Sequence, residues 1–367
     1  MTPGSNTGAD LPFAIPKEKV AGWVERLQEA ADVIAPVAGP GGDECFRTIR
    51  QAGEVLWDFV NPLDPPKRFL LPQTEPLARI EKKNGSFQVE ALHDETPRVL
   101  LNVRSCDLKG LLYLRRMHAA DLPDESLLRR FESFTLVSLA CSTPCPSGFC
   151  VCCDAGPFLH EGFDLQLTDL GDAFLAEVGS EKGRRLVEAG DGLFRPATEE
   201  EVARRRELEE GALQSFGPET CHFGSAMRRI STRRVADTLW ESMAPWCMEC
   251  GGCTLACPTC YCFSVKDRAE AGWEDGDDAP AWTRCRIWDS CQYEAFTLEA
   301  SGHNPREAKR ERMKRRFHHK VSAQYYQKDG DLGCVGCGRC VLVCMGTTDM
   351  PSVVAAIRKG RWEGGHA

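Results

Sequence analysis

Cys247-Met-Glu-Cys250-Gly-Gly-Cys253-Thr-Leu-Ala-Cys257-Pro258 and Cys334-Val-Gly-Cys337-Gly-Arg-Cys340-Val-Leu-Val-Cys344 decide how the second half of this chain is read. Each run has three cysteines at C-x-x-C steps and a fourth after three more residues. That is the spacing that holds a [4Fe–4S] cubane, and the first run keeps the proline that often follows. Three thiolates so spaced let a tight loop wrap one cubane, while the fourth reaches the cluster of the other run. The spacing therefore predicts crossed ligation. One cluster takes Cys247, Cys250, Cys253 and Cys344; the other takes Cys334, Cys337, Cys340 and Cys257. Each fourth cysteine is expected to start a helical turn. Gly251, Gly252, Gly336 and Gly338 lie inside the loops, where a missing Cβ lets the backbone approach inorganic sulfide.

Structural zinc usually shows two C-x-x-C pairs separated by a longer stretch. A zinc-stabilised interaction module without a redox role is thus the alternative of another class. A disulfide framework fits less well, because the N-terminus lacks the charged-then-apolar order of a secretory signal.

The chain has 367 residues, 20 of them cysteine, and a formal net charge of −9. That length suits two or three domains. The negative balance argues against nucleic-acid binding. No stretch reaches the apolar length needed to span a membrane, residues 134–141 being among the longest apolar runs. A cytoplasmic protein is the expectation.

The expected fold class is α+β: an N-terminal α/β domain followed by a ferredoxin-like two-[4Fe–4S] domain with a long insertion. Residues 1–15 read as a loose tail and 16–195 as the α/β domain, with a cysteine-rich loop at 141–153. Residues 196–243 read as a helical linker, 244–355 as the dicluster domain with its insertion at 263–330, and 356–367 as a tail. Periodicity predicts a helix over 21–32, ended by the Pro/Gly stretch 36–42. Apolar runs predict strands at 99–103 and 134–140, as in a sheet covered on both faces. A helix over 108–118 follows the first strand, with Ser105 or Asp107 as its cap. Further helices are expected over 199–210, 226–243 and 304–320, and an acidic, Gly-rich surface loop at 272–279. The last of these helices carries Arg306, Lys309, Arg310, Arg312, Lys314, Arg315, Arg316 and Lys320. It reads mainly as a solvated face balanced by Glu307 and Glu311, with a docking face or a clamp on an anionic cluster as the sharper reading.

Twelve cysteines lie outside the two runs. Cys141, Cys145, Cys150, Cys152 and Cys153 follow a strand, with two prolines and a glycine among them, and look like a metal loop. They are candidates for a third iron–sulfur site, with Cys106 supplying a ligand from the neighbouring strand end. A loop of reduced thiols is the plainer reading. Cys260, Cys262, Cys285 and Cys291 are candidates for a further centre, or for shielding a cluster and tuning its potential. Cys45 and Cys221 read as isolated buried thiols, and His318-His319 as too isolated for a ligand pair. No G-x-G-x-x-G after a strand, no G-x-x-x-x-G-K-[ST] and no H-E-x-x-H is present. The chain is therefore not expected to be catalytic alone.

Residues 98–170 and 245–350 together resemble a known family. The stretches that carry the likeness are Arg104-Ser-Cys106-Asp107, the loop from Cys141 to Cys153, and Gly162-Phe-Asp164-Leu-Gln-Leu-Thr168. To these are added Cys257-Pro-Thr-Cys-Tyr-Cys262, Trp288-Asp-Ser-Cys291, Asn304-Pro-Arg306 and the Cys334–Cys340 run. The family is the 4Fe–4S dicluster family, which holds the beta subunits of sulfhydrogenases (NiFe hydrogenases) and the corresponding iron–sulfur subunits of anaerobic sulfite reductases. Met345 departs from it, standing where proline often follows the fourth cysteine. The resemblance implies two [4Fe–4S] clusters on the eight motif cysteines. It also implies electron relay between a flavin subunit that handles NAD(P)H and a catalytic oxidoreductase subunit, foremost a NiFe hydrogenase module. A subunit of a sulfite-reductase or heterodisulfide-reductase-like complex is the alternative within the class.

Overall fold

The computed structural model describes residues 12–83, 86–218, 221–270 and 281–364. The acidic loop expected at 272–279 lies outside the described residues. Among the described residues twelve strands form two sheets. They are β1 (Phe13–Pro16), β2 (Asp32–Ala38), β3 (Glu44–Thr48), β4 (Thr74–Lys83), β5 (Ser86–Ala91) and β6 (Arg98–Arg104). The rest are β7 (Phe134–Leu139), β8 (Leu165–Asp169), β9 (Ala173–Val178), β10 (Arg195–Pro196), β11 (Phe263–Ala269) and β12 (Trp282–Trp288).

The larger sheet runs β10-β1-β9-β8-β7-β6-β2-β3. Its centre, β2, β6, β7 and β8, is parallel, and its edges are antiparallel. The central strands are buried along nearly their whole length, as parallel strands covered on both faces must be. On one face the helix Lys17–Ala30 sets Val20, Trp23, Val24 and Leu27 against Val99, Leu101, Val137 and Leu139. Trp23 Nε1 donates to Leu186 O at 2.8 Å and ties that helix to Glu181–Ala189. On the other face Leu108, Leu111 and Phe131 cover Leu100, Val103, Phe134 and Leu136.

The first helix ends at Ala30 rather than at residue 32, because Asp32 already begins β2. Pro36 lies inside β2, where its neighbour is β3, while parallel pairing with β6 covers only Asp32–Ile34. Proline is tolerated where the ladder does not need its missing N–H. The helix expected over 226–243 is two helices, Phe223–Ser231 and Asp237–Met243. Arg233 between them takes a left-handed φ of 53°. The basic helix is Lys309–Val321.

The second sheet runs β11-β12-β4-β5 and is antiparallel throughout. Its strands come from two distant segments, 74–91 and 263–288. The insertion between the cysteine runs is therefore part of a sheet shared with the N-terminal half. Glu75 on β4 accepts from Arg130 Nη1 at 2.5 Å and from Arg286 Nε at 2.9 Å, all three buried.

A third core joins helices Phe223–Ser231, Asp237–Met243, Lys309–Val321 and Met350–Lys359 to Phe149, Cys150, Cys152 and Cys153. The segment 196–243 thus supplies core as well as connection. Helix Met350–Lys359, capped by Asp349 and ended by Gly360, crosses the expected tail boundary at 356 with Ala356 and Ile357 buried. Phe13–Pro16, placed mostly in the N-terminal tail, pairs with β9 and β10. The chain is α+β, and among the described residues no helix is long and apolar enough to cross a membrane.

Candidate iron–sulfur centres

Cys247, Cys250, Cys253 and Cys344 line one cavity, together with Arg316 and Gln292. Local geometry brings them there. Gly251, at φ 72°, leads into the short helix Gly252–Leu255, and Gly338, at φ 78°, leads into Arg339–Val343. The two short helices pack together, with Gly252 facing Val343. A Cβ on Gly346 would lie 1.8 Å from Trp246 O, so the chain just past Cys344 rests on the start of the first run. Cys257 and Cys344 follow these short helices rather than starting them, since each run's turn is spent between its third and fourth cysteine.

The glycines act mainly through conformation and contact with protein. Gly251, Gly336 and Gly338 have positive φ, which side chains rarely adopt. A Cβ on Gly251 would sit 2.6 Å from the Tyr293 hydroxyl.

Cys334 and Cys337 lie within electrostatic reach of Cys257, and Cys340 within reach of Cys334 and Cys337. Burial pushes the Cys253 thiol up to about 11 and the Cys337 thiol up to about 12. The Cys257 thiol is held low because Cys260 donates to it, against the effect of burial. Cys153 likewise donates to Cys334 and lowers it. Since the thiolate is the ligand, these surroundings prepare the sulfurs unequally.

The basic helix supplies the balancing charge. Arg312, Arg316 and Lys320, four residues apart, share its inner face and are buried. Burial opposes charge on Arg316, but Cys253, Cys340, Cys260 and Cys257 around it hold its pKa above the ordinary arginine value. Arg316 Nη1 donates to Thr348 O at 3.1 Å. Burial likewise opposes charge on Lys320, and Cys257 and Cys260 more than offset it. Lys320 donates to Thr259, whose hydroxyl is 3.2 Å from Cys257 Sγ. The reading of this helix as a solvated face therefore applies to Lys309, Arg310 and Lys314, which pair with Glu249, Glu241 and Asp237. It does not apply to the inner stripe. Lys67, which no sequence signal marked, donates to Cys260 O at 2.9 Å, and its ammonium lies 4.3 Å from the Trp288 ring centre.

The six cysteines grouped as a third site separate. Cys106, Cys141, Cys145 and Cys150 line a second cavity, with Cys337 in its wall. Cys152 and Cys153 turn the other way, towards Cys221 and Cys334. Cys221 is therefore not isolated: its backbone N–H donates to Cys152 Sγ at 3.3 Å. Cys260 pairs with Cys257, and Cys262 donates to Cys291, bringing the Cys291 thiol down to about 6. Cys285 sits buried on β12, its thiol 3.8 Å from Thr283 O. His319 stacks edge-on against Tyr261 and Tyr325, and burial drives its pKa down to about 3.

Neither Ser105 nor Asp107 caps the helix Ser105–Ala119. Ser105 Oγ donates to Pro157 O at 2.6 Å. Asp107 accepts from Arg339 Nη2 at 2.8 Å, in a fully buried ion pair that ties this helix to the second run.

A family model described as a 4Fe–4S dicluster domain matches residues 246–348. The chain is also 30% identical over 339 residues to sulfhydrogenase 2 subunit beta of Pyrococcus furiosus, an alignment covering 92% of this chain and 96% of the relative. The dicluster match spans all eight cysteines of the two runs. The protein belongs to the 4Fe–4S dicluster family of sulfhydrogenase beta subunits and is an iron–sulfur electron-transfer protein with two [4Fe–4S] clusters.

Proposed function

We propose that this chain relays electrons between a flavin subunit that handles NAD(P)H and a NiFe hydrogenase module, in the cytoplasm, and is not catalytic alone. One cluster is held by Cys247, Cys250, Cys253 and Cys344, the other by Cys334, Cys337, Cys340 and Cys257. The observation that carries this reading is the interleaving of the runs: the last cysteine of each lies among the first three of the other. Arg316 lies among thiols of both sets, which suits two anionic cubanes held close enough to exchange electrons. The near full-length likeness to a sulfhydrogenase beta subunit supports the choice of partners. The zinc alternative is served less well. Zinc takes four thiolates at about 2.3 Å in a tetrahedron. Its sites usually show two C-x-x-C pairs separated by a longer stretch, unlike the three evenly spaced cysteines plus a fourth seen twice here.

The test is iron and acid-labile sulfide on anaerobically purified protein, with EPR of the reduced state. At least about eight of each per chain is expected. Cys344→Ser should alter the signal of the cluster that Cys247→Ser also alters, and leave the signal that Cys334→Ser alters. The opposite grouping would refute crossed ligation. Zinc without sulfide would sink the electron-transfer role. Copurification of a tagged chain with a nickel-containing protein is expected, and reduction of its clusters by dihydrogen only when that protein is present.

A further inference from the structure

Arg104 and Leu139 are paired residues at the carboxyl ends of the parallel strands β6 and β7. Two residues beyond each stands a cysteine, Cys106 and Cys141. In open sheets with a parallel core, ligands collect beyond the carboxyl ends of the strands. The loop that follows β7 returns two more thiols to the same place. Cys141 N donates to Pro157 O at 3.2 Å, Gly148 N to Cys145 O at 3.1 Å and Phe149 N to Gly336 O at 2.7 Å. The result is the cavity ringed by Cys106, Cys141, Cys145 and Cys150.

We propose that Cys106, Cys141, Cys145 and Cys150 hold a third [4Fe–4S] cluster, set against the site of Cys334, Cys337, Cys340 and Cys257.

Three observations support this beyond the count of thiols. First, all four are free, and three are buried. Second, a buried amide is aimed at one of them. Asn61 Nδ2 donates to Cys106 Sγ at 3.4 Å, while Asn61 Oδ1 accepts from Arg339 Nη2 at 2.6 Å. An N–H donated to a ligand sulfur is the kind of contact that tunes a cluster. Third, the new site and the second motif share a wall. Cys337 and Gly336 line the cavity. A Cβ on Gly336 would lie 2.4 Å from Phe149 O, so the two loops touch backbone to backbone. The three sites then stand in a file, with the Cys334 site in the middle. Cys152 and Cys153 are outside the ligand set. The proposal rests on the electron-relay reading above and extends it into the N-terminal domain.

The test is metal and sulfide analysis of the anaerobically purified full chain. About twelve iron and twelve sulfide per chain are expected. Cys145→Ser, at the least buried of the four, should lose about four of each and leave the reduced-state signals of the two motif clusters unchanged. Cys152→Ser should keep about twelve. About eight of each in the unaltered chain would overturn this proposal and leave the electron-relay reading standing. So would about eight iron with one zinc that Cys145→Ser releases. Zinc with no sulfide would overturn both.

Discussion

Arg316 shows how one side chain can stand among cysteines of both runs. Its guanidinium is buried among Cys253 of one set and Cys257 and Cys340 of the other. A fixed cation stabilises a reduced cluster, which carries one more negative charge, and a low-dielectric setting strengthens the effect. Replacing Arg316 with glutamine should move both motif potentials negative. A shift of about 60 mV, equivalent to about 1.4 kcal/mol for one electron, is the expected scale, read by redox titration followed by EPR. An unchanged potential at either site would show that the charge is compensated elsewhere. His118 makes a different use of burial, which lowers its pKa against the opposing hydrogen bond to Leu114 O. In the unfolded chain the same imidazole titrates near 6.5. As pH falls below that value the unfolded chain takes up a proton that the folded one resists. Stability present above about pH 6.5 is therefore lost as pH falls towards the folded value. Denaturant midpoints at about pH 7.5 and 5.5 should differ more for the natural chain than for His118→Gln, and equal differences would remove His118 from the account.

Strands and helices were legible where one rule governed them. Strands β6 and β7 are largely apolar, broken only by Asn102, Thr135 and Ser138 between their ends, and the sequence marks them because both faces are covered. Strands β4, β5, β11 and β12 carried no such mark. Strand β5 is exposed throughout and β11 nearly so, and their order depends on pairing between segments far apart in the chain. What holds that pairing is a charge knot that no local pattern announces. Glu75 from β4 is enclosed by Arg286 from β12 and by Arg130 from the helix Glu125–Ser133. Glu75→Gln would leave two buried guanidinium groups short of an anion, at a cost of about 3–5 kcal/mol, measurable by anaerobic denaturant unfolding. A loss below about 1 kcal/mol would mean that Asp124 and Asp94, the other carboxylates near these arginines, take over. The basic helix failed in the opposite way. Its i, i+4, i+8 stripe of Arg312, Arg316 and Lys320 was present in the sequence, but Glu307 and Glu311 made the helix look balanced. Gly336 tests the contact between loops. Gly336→Ala should push the 145–150 loop away from the second run and lose iron, whereas a full iron complement would show that the loops move apart without consequence.

Taken whole, the molecule places its cysteine clusters at graded depth. The two runs that the dicluster match spans stand out by spacing alone, because a cubane dictates the separation of its ligands. The grouping of Cys106 with Cys141, Cys145 and Cys150 could not be separated from Cys152 and Cys153 that way, since it depends on which strand ends lie side by side. Depth is also a property of the assembled fold. Cys106, Cys141 and Cys150 are buried, and Cys334 is buried between the N-terminal domain and the helices. Cys250 is the one exposed cysteine of the twenty. Around it Met248 and Met345 are 64% and 79% exposed, and Trp246 and Leu342 are also open. Apolar side chains left open beside a redox site suit a face that another protein covers. On the proposed ligation, the site with Cys250 is the expected port, the one to exchange electrons with a partner first. A small outer-sphere oxidant such as ferricyanide, added in portions to the dithionite-reduced chain under rapid mixing, should abolish first the EPR signal that Cys250→Ser alters. The signal that Cys334→Ser alters should follow. Simultaneous loss would mean that exchange within the file outruns entry, and loss in the reverse order would place the port at the N-terminal end instead.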